Sequence, residues 1–182
     1  MKKVFIIATF LTLAFTSCKE KDAATTDENT QKEPVKENFN VELDVVAEKE
    51  DNFALYFTED NTINFNGEHA VWRGVKGQNQ SETLFFELPE PVVPTNIRID
   101  FGINKGDKQG DITLKKLRMS FYGKKFETNG SDFFKYFIPN DSIKTEIDQA
   151  SGSIKFLKTA KQSTPFYYPQ QSLIDEIKNL TK

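Results

Sequence analysis

Apolar and polar side chains alternate along much of the chain after residue 38. Between Phe39 and Val45 every second residue is apolar, and the residues between them are Asn, Glu and Asp. This is the period of a β-strand with one buried face. The pattern recurs at 53–57, 83–88 and 97–101, and turn-forming Gly, Pro and Asn residues separate these segments. The alternation predicts a series of short antiparallel strands.

The stretch Ile112–Phe121 changes its apolar face midway. Its apolar positions are even-numbered up to Leu114 and odd-numbered from Leu117 onwards. Because consecutive side chains of a strand point to opposite faces, a continuous buried face requires one extra residue at Lys115 and Lys116. We therefore predict a β-bulge there, with both lysines directed to solvent.

The last third of the chain carries weaker strand signals and a short helical one. Strands are predicted near residues 143–147 and 154–157. Ser131 predicts the cap of a helical turn through residues 133–137, which must end before Pro139.

A C-terminal amphipathic helix is predicted to begin at Pro169, since proline suits the first turn of a helix. Its apolar face carries Leu173, Ile174, Ile177 and Leu180. We expect the helix to pack on the strands as a lid. About eight short strands without βαβ alternation favour an all-β fold, an antiparallel two-layer, jelly-roll-like β-sandwich with a short C-terminal α-helix.

The strand segments resemble the galactose-binding-like sandwich modules of bacterial cell-surface glycan proteins. The segments that carry the resemblance are 51–58, 83–89, 97–102 and 112–123. As spaced strands, they extend over about half of the chain after the leader, and they include no catalytic motif. The resemblance implies a non-catalytic, carbohydrate-facing module and supplies no catalytic residues.

The start of the chain resembles the leader and lipobox of a bacterial lipoprotein. Lys2 and Lys3 precede an uncharged run, 4–15, and small residues then lead to Cys18, the single cysteine. The run is too short for a permanent membrane span, which needs about 20 residues, so residues 1–17 predict a removed signal peptide. The third residue before the cysteine is Phe where Leu is usual. The alternative is an ordinary secretory peptide followed by a chance cysteine.

Acylation of Cys18 would anchor the chain in the outer membrane, on its periplasmic face or at the cell surface. The charged residues 19–22 resemble the export signals of Bacteroidota-type surface lipoproteins. Residues 18–38 are the acylated cysteine and a polar segment that cannot bury enough apolar area to fold, which predicts a disordered tether. Residues 39–182 then form a single domain of ordinary size.

Net charge excludes one class of partner. Cleavage of the leader leaves 22 basic and 27 acidic residues, a net charge of about −5. No cluster of Lys and Arg accompanies this acidic excess, so nucleic acid is not an expected partner.

The residue inventory offers little for catalysis. The single histidine, His69, lies in a polar loop, and no Gly-x-Ser-x-Gly elbow occurs. Paired carboxylates can hydrolyse glycosidic bonds, with Glu59-Asp60, Glu87 and Asp100 as candidates. Asp100, however, lies beside Arg98, which favours an ordinary ion pair. We therefore expect a protein that is not an enzyme.

No cofactor is expected either. The chain has no histidine pair, no Cys-x-x-Cys and no EF-hand pattern, so no metal site is predicted. A structural calcium ion stays open as an alternative, with Asp107 and Asp111 beside a glycine-rich loop as candidates.

Sugar binding requires flat aromatic faces together with amides, carboxylates or guanidiniums for hydroxyl groups. The single tryptophan, Trp72, meets the first requirement, and the alternative is that it packs in the core. The candidate ligand-binding residues are Trp72, Arg73, Gln78, Asn79 and Tyr122, with Tyr167 and Tyr168 as further aromatic candidates.

Two functions remain open at this stage. The first is an envelope-anchored, non-catalytic lipoprotein that binds polysaccharide or assists surface glycan handling. The second is a structural or protein-interaction lipoprotein that binds an envelope protein and no small ligand, with the aromatic cluster 133–137 as its suspected contact. An exposed Trp72 on a concave, polar-rimmed surface would favour the first, and a broad exposed apolar patch the second.

One modification site is suggested by a short motif. Asp141-Ser142-Ile143 resembles the O-glycosylation acceptor used in the same bacterial group, which makes Ser142 a candidate.

Overall fold

The computed structural model describes residues 38–104, 106–157 and 165–182. Cys18 and nearly all of the predicted tether therefore lie outside the described residues. The strands are β1 (Asn40–Ala47), β2 (Asp51–Thr58), β3 (Ala70–Val75), β4 (Ser81–Glu87), β5 (Asn96–Asp100), β6 (Ile112–Phe121), β7 (Lys124–Asn129), β8 (Phe137–Pro139), β9 (Thr145–Asp148), β10 (Ser153–Phe156) and β11 (Phe166–Pro169). Short 3-10 helices occupy Gly106–Lys108 and Gly130–Lys135, and α1 spans Gln171–Thr181.

Within the described residues the strands form two antiparallel sheets. The six-stranded sheet has the order β4-β1-β6-β10-β9, with β7 also paired to β6. The five-stranded sheet has the order β3-β2-β5-β11-β8. The predicted all-β, two-layer β-sandwich with a short C-terminal helix is confirmed.

The core consists of the apolar side chains that alternate along the strands. Val41 and Phe53, one from each sheet, are almost completely buried. The aromatic cluster 133–137 also belongs to this core: the Phe133 and Phe137 rings are fully buried and stack with centroids 4.4 Å apart. The suggestion that this cluster forms an exposed protein contact is therefore wrong, because the packing of these rings fills the interior.

The local helix signals are only partly correct. Ser131 does not cap the 3-10 helix, which begins at Gly130, and Phe137 already belongs to β8. Pro169 ends β11 opposite Phe137, and the N-cap of α1 is Gln170. Sheet pairing on both sides of these segments overrides the local capping signals.

The helix α1 contacts β6 and β7 of one sheet and β11 of the other. Its predicted apolar face is correct, since Leu173, Ile177 and Leu180 are buried in the core cluster. The helix thus joins the two sheets through shared apolar contacts. Over the described part of the chain, no helix has the length and apolar character needed to cross a bilayer.

The predicted β-bulge in β6 is confirmed. Along β1, Asp44 faces Lys116 whereas Val45 faces Leu114, so Lys115 is the extra residue. The Lys115 side chain is exposed, and Lys116 is half-buried and forms an ion pair of 2.6 Å with an acidic residue of β7. The bulge keeps one face of β6 apolar along its whole length.

Two glycines pack against the backbone of this bulge. A Cβ atom on Gly130 would overlap the carbonyl oxygen of Leu114, and one on Gly152 would lie 2.6 Å from the same oxygen. The Leu114 amide donates a 2.9 Å hydrogen bond to the Gly152 carbonyl. Three chain segments therefore meet backbone to backbone, which leaves no room for a side chain at either glycine.

Gly130→Ala is expected to lower the free energy of unfolding by about 2 kcal/mol or more, because the added methyl group enters filled space. Urea denaturation followed by circular dichroism measures the change. Gly67→Ala is the matched control, since no described atom lies within 4 Å of its added Cβ atom. Its effect should stay within about 0.5 kcal/mol. Equal stability of the two variants would contradict the backbone contact.

Candidate functional site

The outer face of the six-stranded sheet is ionic. The Arg118 guanidinium donates a 3.0 Å hydrogen bond to Glu42 and bonds of 2.7 and 2.8 Å to Asp44. The Thr83 hydroxyl donates to the same Asp44 carboxylate at 2.6 Å. The hydrogen bonds from Arg118 hold the pKa of Asp44 below its usual value. The opposite charges on this face are thus paired with each other across neighbouring strands.

The outer face of the five-stranded sheet is aromatic around a single ion pair. Arg98 donates hydrogen bonds of 2.8 and 2.9 Å to Asp100, as the sequence predicted. The Arg98 guanidinium lies 4.2 Å from the Tyr56 ring centroid, 4.6 Å from that of Phe166 and 5.4 Å from that of Phe65. Cation–π contacts of this kind stabilise a protein by about 0.5 to 2 kcal/mol. The ion pair therefore organises the rings around it.

The connection between β2 and β3 brings one of these rings onto the sheet. The Thr62 carbonyl accepts hydrogen bonds from the Thr58 hydroxyl at 2.6 Å and from the Asn96 amide at 3.1 Å. Phe65, further along the connection, lies with its ring centroid 6.1 Å from that of Tyr168. The loop is thus anchored to β2 and β5 and extends the aromatic face.

Trp72 lies on the same outer face, in the edge strand β3. Its side chain is 43% exposed, and its ring contacts Tyr56 edge to face at a centroid distance of 6.1 Å. Its cross-strand partner Ala54 is fully buried. The alternative that Trp72 packs in the core is therefore wrong. The indole is braced by the sheet, and nearly half of it is open to solvent.

A groove of about 370 Å³ lies where β2 begins and β3 ends. Gly74 lies two residues beyond Trp72, so both belong to the same face of β3. The groove is lined by Glu50, Asp51, Asn52, Gly74, Val75, Lys76 and Gln78. Its volume falls within the range of small-molecule sites. The exposed indole therefore lies two residues along the strand from Gly74, which lines the groove together with Val75 and five polar or charged side chains.

One wall of the groove is held by a buried carboxylate. Asp51 accepts backbone hydrogen bonds from Asn52 and Ile103 at 2.7 Å and from Asn104 at 3.3 Å. A Cβ atom on Gly102 would overlap this carboxylate. Because backbone N–H groups occupy Asp51, its role is to join β2 to the loop after β5 and to fix the shape of the groove.

Arg73 lies on the other side of β3 from the Trp72 indole. It pairs with Phe53, whose side chain is in the core. Its guanidinium donates hydrogen bonds of 2.5 Å to the Phe85 carbonyl and 2.7 Å to the Trp72 carbonyl. Arg73 therefore bridges the edge strands of the two sheets and lies outside the groove.

Of the remaining predicted residues, Gln78 lines the groove and Tyr122 lies far from it. Gln78 and Asn79 form the turn after β3, and the Asn79 amide donates to Ala47 at one end of β1. Tyr122 follows β6 at the Asn40 end of β1, and the eight residues of that strand extend about 23 Å. Tyr122 is 59% exposed but does not join Trp72.

The candidate catalytic carboxylates do not converge. Glu87 belongs to the six-stranded sheet and accepts a hydrogen bond from Asn38, whereas Asp100 lies in the five-stranded sheet. Asp60 accepts two hydrogen bonds from Thr62 in the connecting loop. Glu87, Asp100 and Asp60 therefore lie on three separate elements, β4, β5 and the loop after β2.

The single histidine lies at the opposite end of β3 from the groove, and the two calcium candidates lie between β5 and β6. The exposed ring of His69 stacks on Phe57. Asp111, a calcium candidate with Asp107, accepts a hydrogen bond from the amide of Phe156. Nowhere in the described ranges do three or more His, Cys, Asp or Glu residues form a group that could hold a metal ion.

Two further sequence candidates have clear positions. Tyr167 is fully buried, and this burial raises the pKa of its hydroxyl to about 12. It is therefore a core residue, whereas Tyr168 belongs to the aromatic outer face. Ser142 is exposed in the turn after β8, where its hydroxyl donates to the Asn140 side chain. Its glycosylation stays a prediction.

Comparison with known protein families, with curated proteins and with solved structures finds no match for this chain. The resemblance to galactose-binding-like modules and the lipoprotein leader therefore stay predictions from the sequence.

Asp100→Asn tests the electrostatics of the aromatic face. Burial raises the pKa of Asp100, and the Arg98 hydrogen bonds oppose part of that rise. Because the folded state binds the proton more tightly than the unfolded state, the stabilising contribution is present at low pH and lost as the pH rises through the folded pKa. The difference in unfolding free energy between wild type and Asp100→Asn, measured in urea titrations, should therefore fall as the pH rises above the usual pKa of an aspartate.

Asp44→Asn is the control, because its difference in unfolding free energy should change with pH in the opposite direction. Arg118 lowers the pKa of Asp44, so its stabilising contribution is lost as the pH falls. The corresponding difference should rise with pH, and the change should lie below the usual pKa of an aspartate. Two slopes of the same sign would contradict the assigned environments.

Proposed function

We propose that this protein is a non-catalytic, envelope-anchored lipoprotein whose β-sandwich binds carbohydrate on the outer face of the five-stranded sheet. The observation that carries the proposal is the position of Trp72. Its exposed indole contacts Tyr56, and Gly74, two residues along the same face of β3, lines a groove of about 370 Å³. This is the combination of flat aromatic surface and nearby polar groups that sugar binding requires.

The groove supplies the polar half of such a site. A pyranose stacked on Trp72 would place hydroxyl groups toward the groove, where Asn52 and Gln78 carry amides that both donate and accept hydrogen bonds. Glu50 adds a carboxylate acceptor and Lys76 an ammonium donor. Because Tyr56 and the sheet already hold the indole, little side-chain entropy is lost on binding.

The anchor is the second part of the proposal. The leader, the lipobox-like residues before Cys18 and the polar segment after it support a lipidated N-terminus. The segment 18–38 would act as the tether that the sequence predicts, and a disordered chain of about 20 residues has a root-mean-square reach of about 25 Å. The sandwich would therefore meet polymers that lie away from the bilayer surface.

Cys18→Ala is expected to abolish incorporation of labelled palmitate in growing cells, because it removes the only thiol. The variant should also leave the membrane fraction, since the acyl chains supply the membrane affinity. Fractionation with immunodetection measures the second effect. A variant that stays in the membrane fraction, or a wild type that takes up no label, would contradict the lipid anchor.

A protein partner is the second candidate function, and one observation favours it. At the other end of the aromatic face, Ile63 is 55% exposed and Ile138 is 49% exposed. The rings of Phe65 and Tyr168 also lie on this side of the sheet. This patch, and not the 133–137 cluster, is the surface that would contact an envelope protein.

Trp72→Ala is expected to weaken binding to a soluble neutral polysaccharide by about tenfold or more, the loss expected for a central aromatic anchor. The full-length chain in mild detergent is tested against a panel of β-glucan, galactomannan and polygalacturonate by affinity electrophoresis. Because Trp72 is the only tryptophan, a shift of its fluorescence emission on ligand addition reports binding at this site directly.

Val93→Ala is the matched control, since it trims an exposed apolar residue in a loop distant in sequence. It should bind like wild type, with both variants retaining the wild-type circular dichroism. Absence of binding by wild type across the panel would contradict the carbohydrate proposal. Cross-linking to an envelope protein that is lost in Ile138→Asp would then support the alternative.

A further inference from the structure

Gly74 is a glycine that the fold does not require. It lies inside β3 and is exposed, although glycine in a strand costs stability relative to residues with a side chain. Its φ is outside the left-handed region, and an added Cβ atom would meet, among the described residues, only the Asn52 side-chain oxygen at 3.7 Å. Gly77 and Gly130 differ, because a Cβ atom on either would overlap backbone atoms.

Because Gly74 has no side chain, the strand surface beside Trp72 is open. Trp72 stands on one side of Gly74 along the same face of β3, and Asn52 faces Gly74 across the strand pair. A side chain at residue 74 would project between the indole and the groove. Its absence exposes the backbone of β3 as the floor that connects them.

We propose that Gly74 is the ligand-contact and specificity-determining residue of the carbohydrate site. The missing side chain lets a sugar ring, stacked against Trp72, lie on the backbone of β3 and extend toward Asn52. A glycine inside a strand commonly marks such a close approach by a ligand. This inference rests on the proposed carbohydrate function.

The charges of the groove indicate which sugars fit. Its lining contains the exposed carboxylate of Glu50, the buried and hydrogen-bonded carboxylate of Asp51, and one ammonium group, Lys76. An anionic sugar would meet a lining with more negative than positive side chains, and unfavourable charge juxtaposition is an effective means of excluding a ligand. The ligand class is therefore an uncharged pyranose, and uronic acids are excluded.

Gly74→Ala and Gly74→Val separate ligand contact from a structural role. The added Cβ atom does not enter filled space, and β-branched residues favour strands, so both variants should unfold in urea at the wild-type midpoint or above it. Binding of the full-length chain to soluble β-glucan or galactomannan should weaken by about tenfold for Ala, as expected when a group is inserted into a tight contact, and further for Val. Trp72 emission and affinity electrophoresis measure the effect.

Gly67→Val is the matched control, since residue 67 is also exposed and has open space around it. It should bind the neutral polysaccharides like wild type. If wild type binds them and a folded Gly74→Val variant binds equally well, the inference about Gly74 is overturned and the carbohydrate function stands.

Three other results would also overturn the inference. A lowered unfolding midpoint for Gly74→Ala would show that the fold does require this glycine. Stronger wild-type binding to polygalacturonate than to the neutral polymers would overturn the assigned ligand class. If wild type binds none of the polymers, the proposed function fails and the inference fails with it.

Discussion

Each of the two sheets must bury one face against the other, and the rest of this structure depends on that constraint. The strands meet it by alternation, so that side chains such as Phe39 and Leu55 fill the interior from opposite sides. Burial of apolar surface stabilises a fold by about 25 cal/mol per Å², which makes every interruption of the apolar face costly. The bulge at Lys115 preserves that face in β6. Gly130 and Gly152 then let two further segments close over the bulge without a side chain between them.

Because the interior satisfies the packing requirement, the two outer faces are free to differ in chemistry. On the six-stranded sheet Arg118 pairs with acidic residues of β1, and the exposed charges compensate each other. On the five-stranded sheet the Arg98–Asp100 pair is covered by aromatic rings, among them Tyr56. Burial raises the pKa of Asp100, whereas hydrogen bonding lowers that of Asp44. The pKa of the carboxylate in an ion pair is thus shifted in opposite directions on the two faces, according to how far burial removes the carboxylate from water.

The candidate site lies where the second face meets the end of the sandwich. Trp72 supplies an aromatic surface, Gly74 leaves the strand backbone open beside it, and Asp51 holds the neighbouring loop in place. Arg73 contributes from the opposite side of β3 by linking that edge to the other sheet. A rigid frame of this kind reduces the ordering cost of a ligand contact. This rigidity, together with the groove, distinguishes the Trp72 end from the more apolar end near Ile138.

The sequence by itself determined the features that depend on local periodicity: the alternating strands, the apolar face of α1 and the bulge at Lys115. The bulge could be predicted because the apolar positions change from even to odd numbers within a strand that keeps one buried face. The strand β3 escaped prediction because Trp72-Arg73-Gly74 breaks the alternation, and β8 and β11 are too short to show a period. Only the tertiary structure decided which candidate ligand residues meet. Neighbouring residues of a strand point to opposite faces, so Trp72 and Arg73 separate, whereas Asn52 and Gly74, 22 positions apart, face each other through strand pairing. Strand pairing also separates Tyr122 from the candidate site, because the register between β1 and β6 places the turn of Tyr122 at the far end of the sandwich.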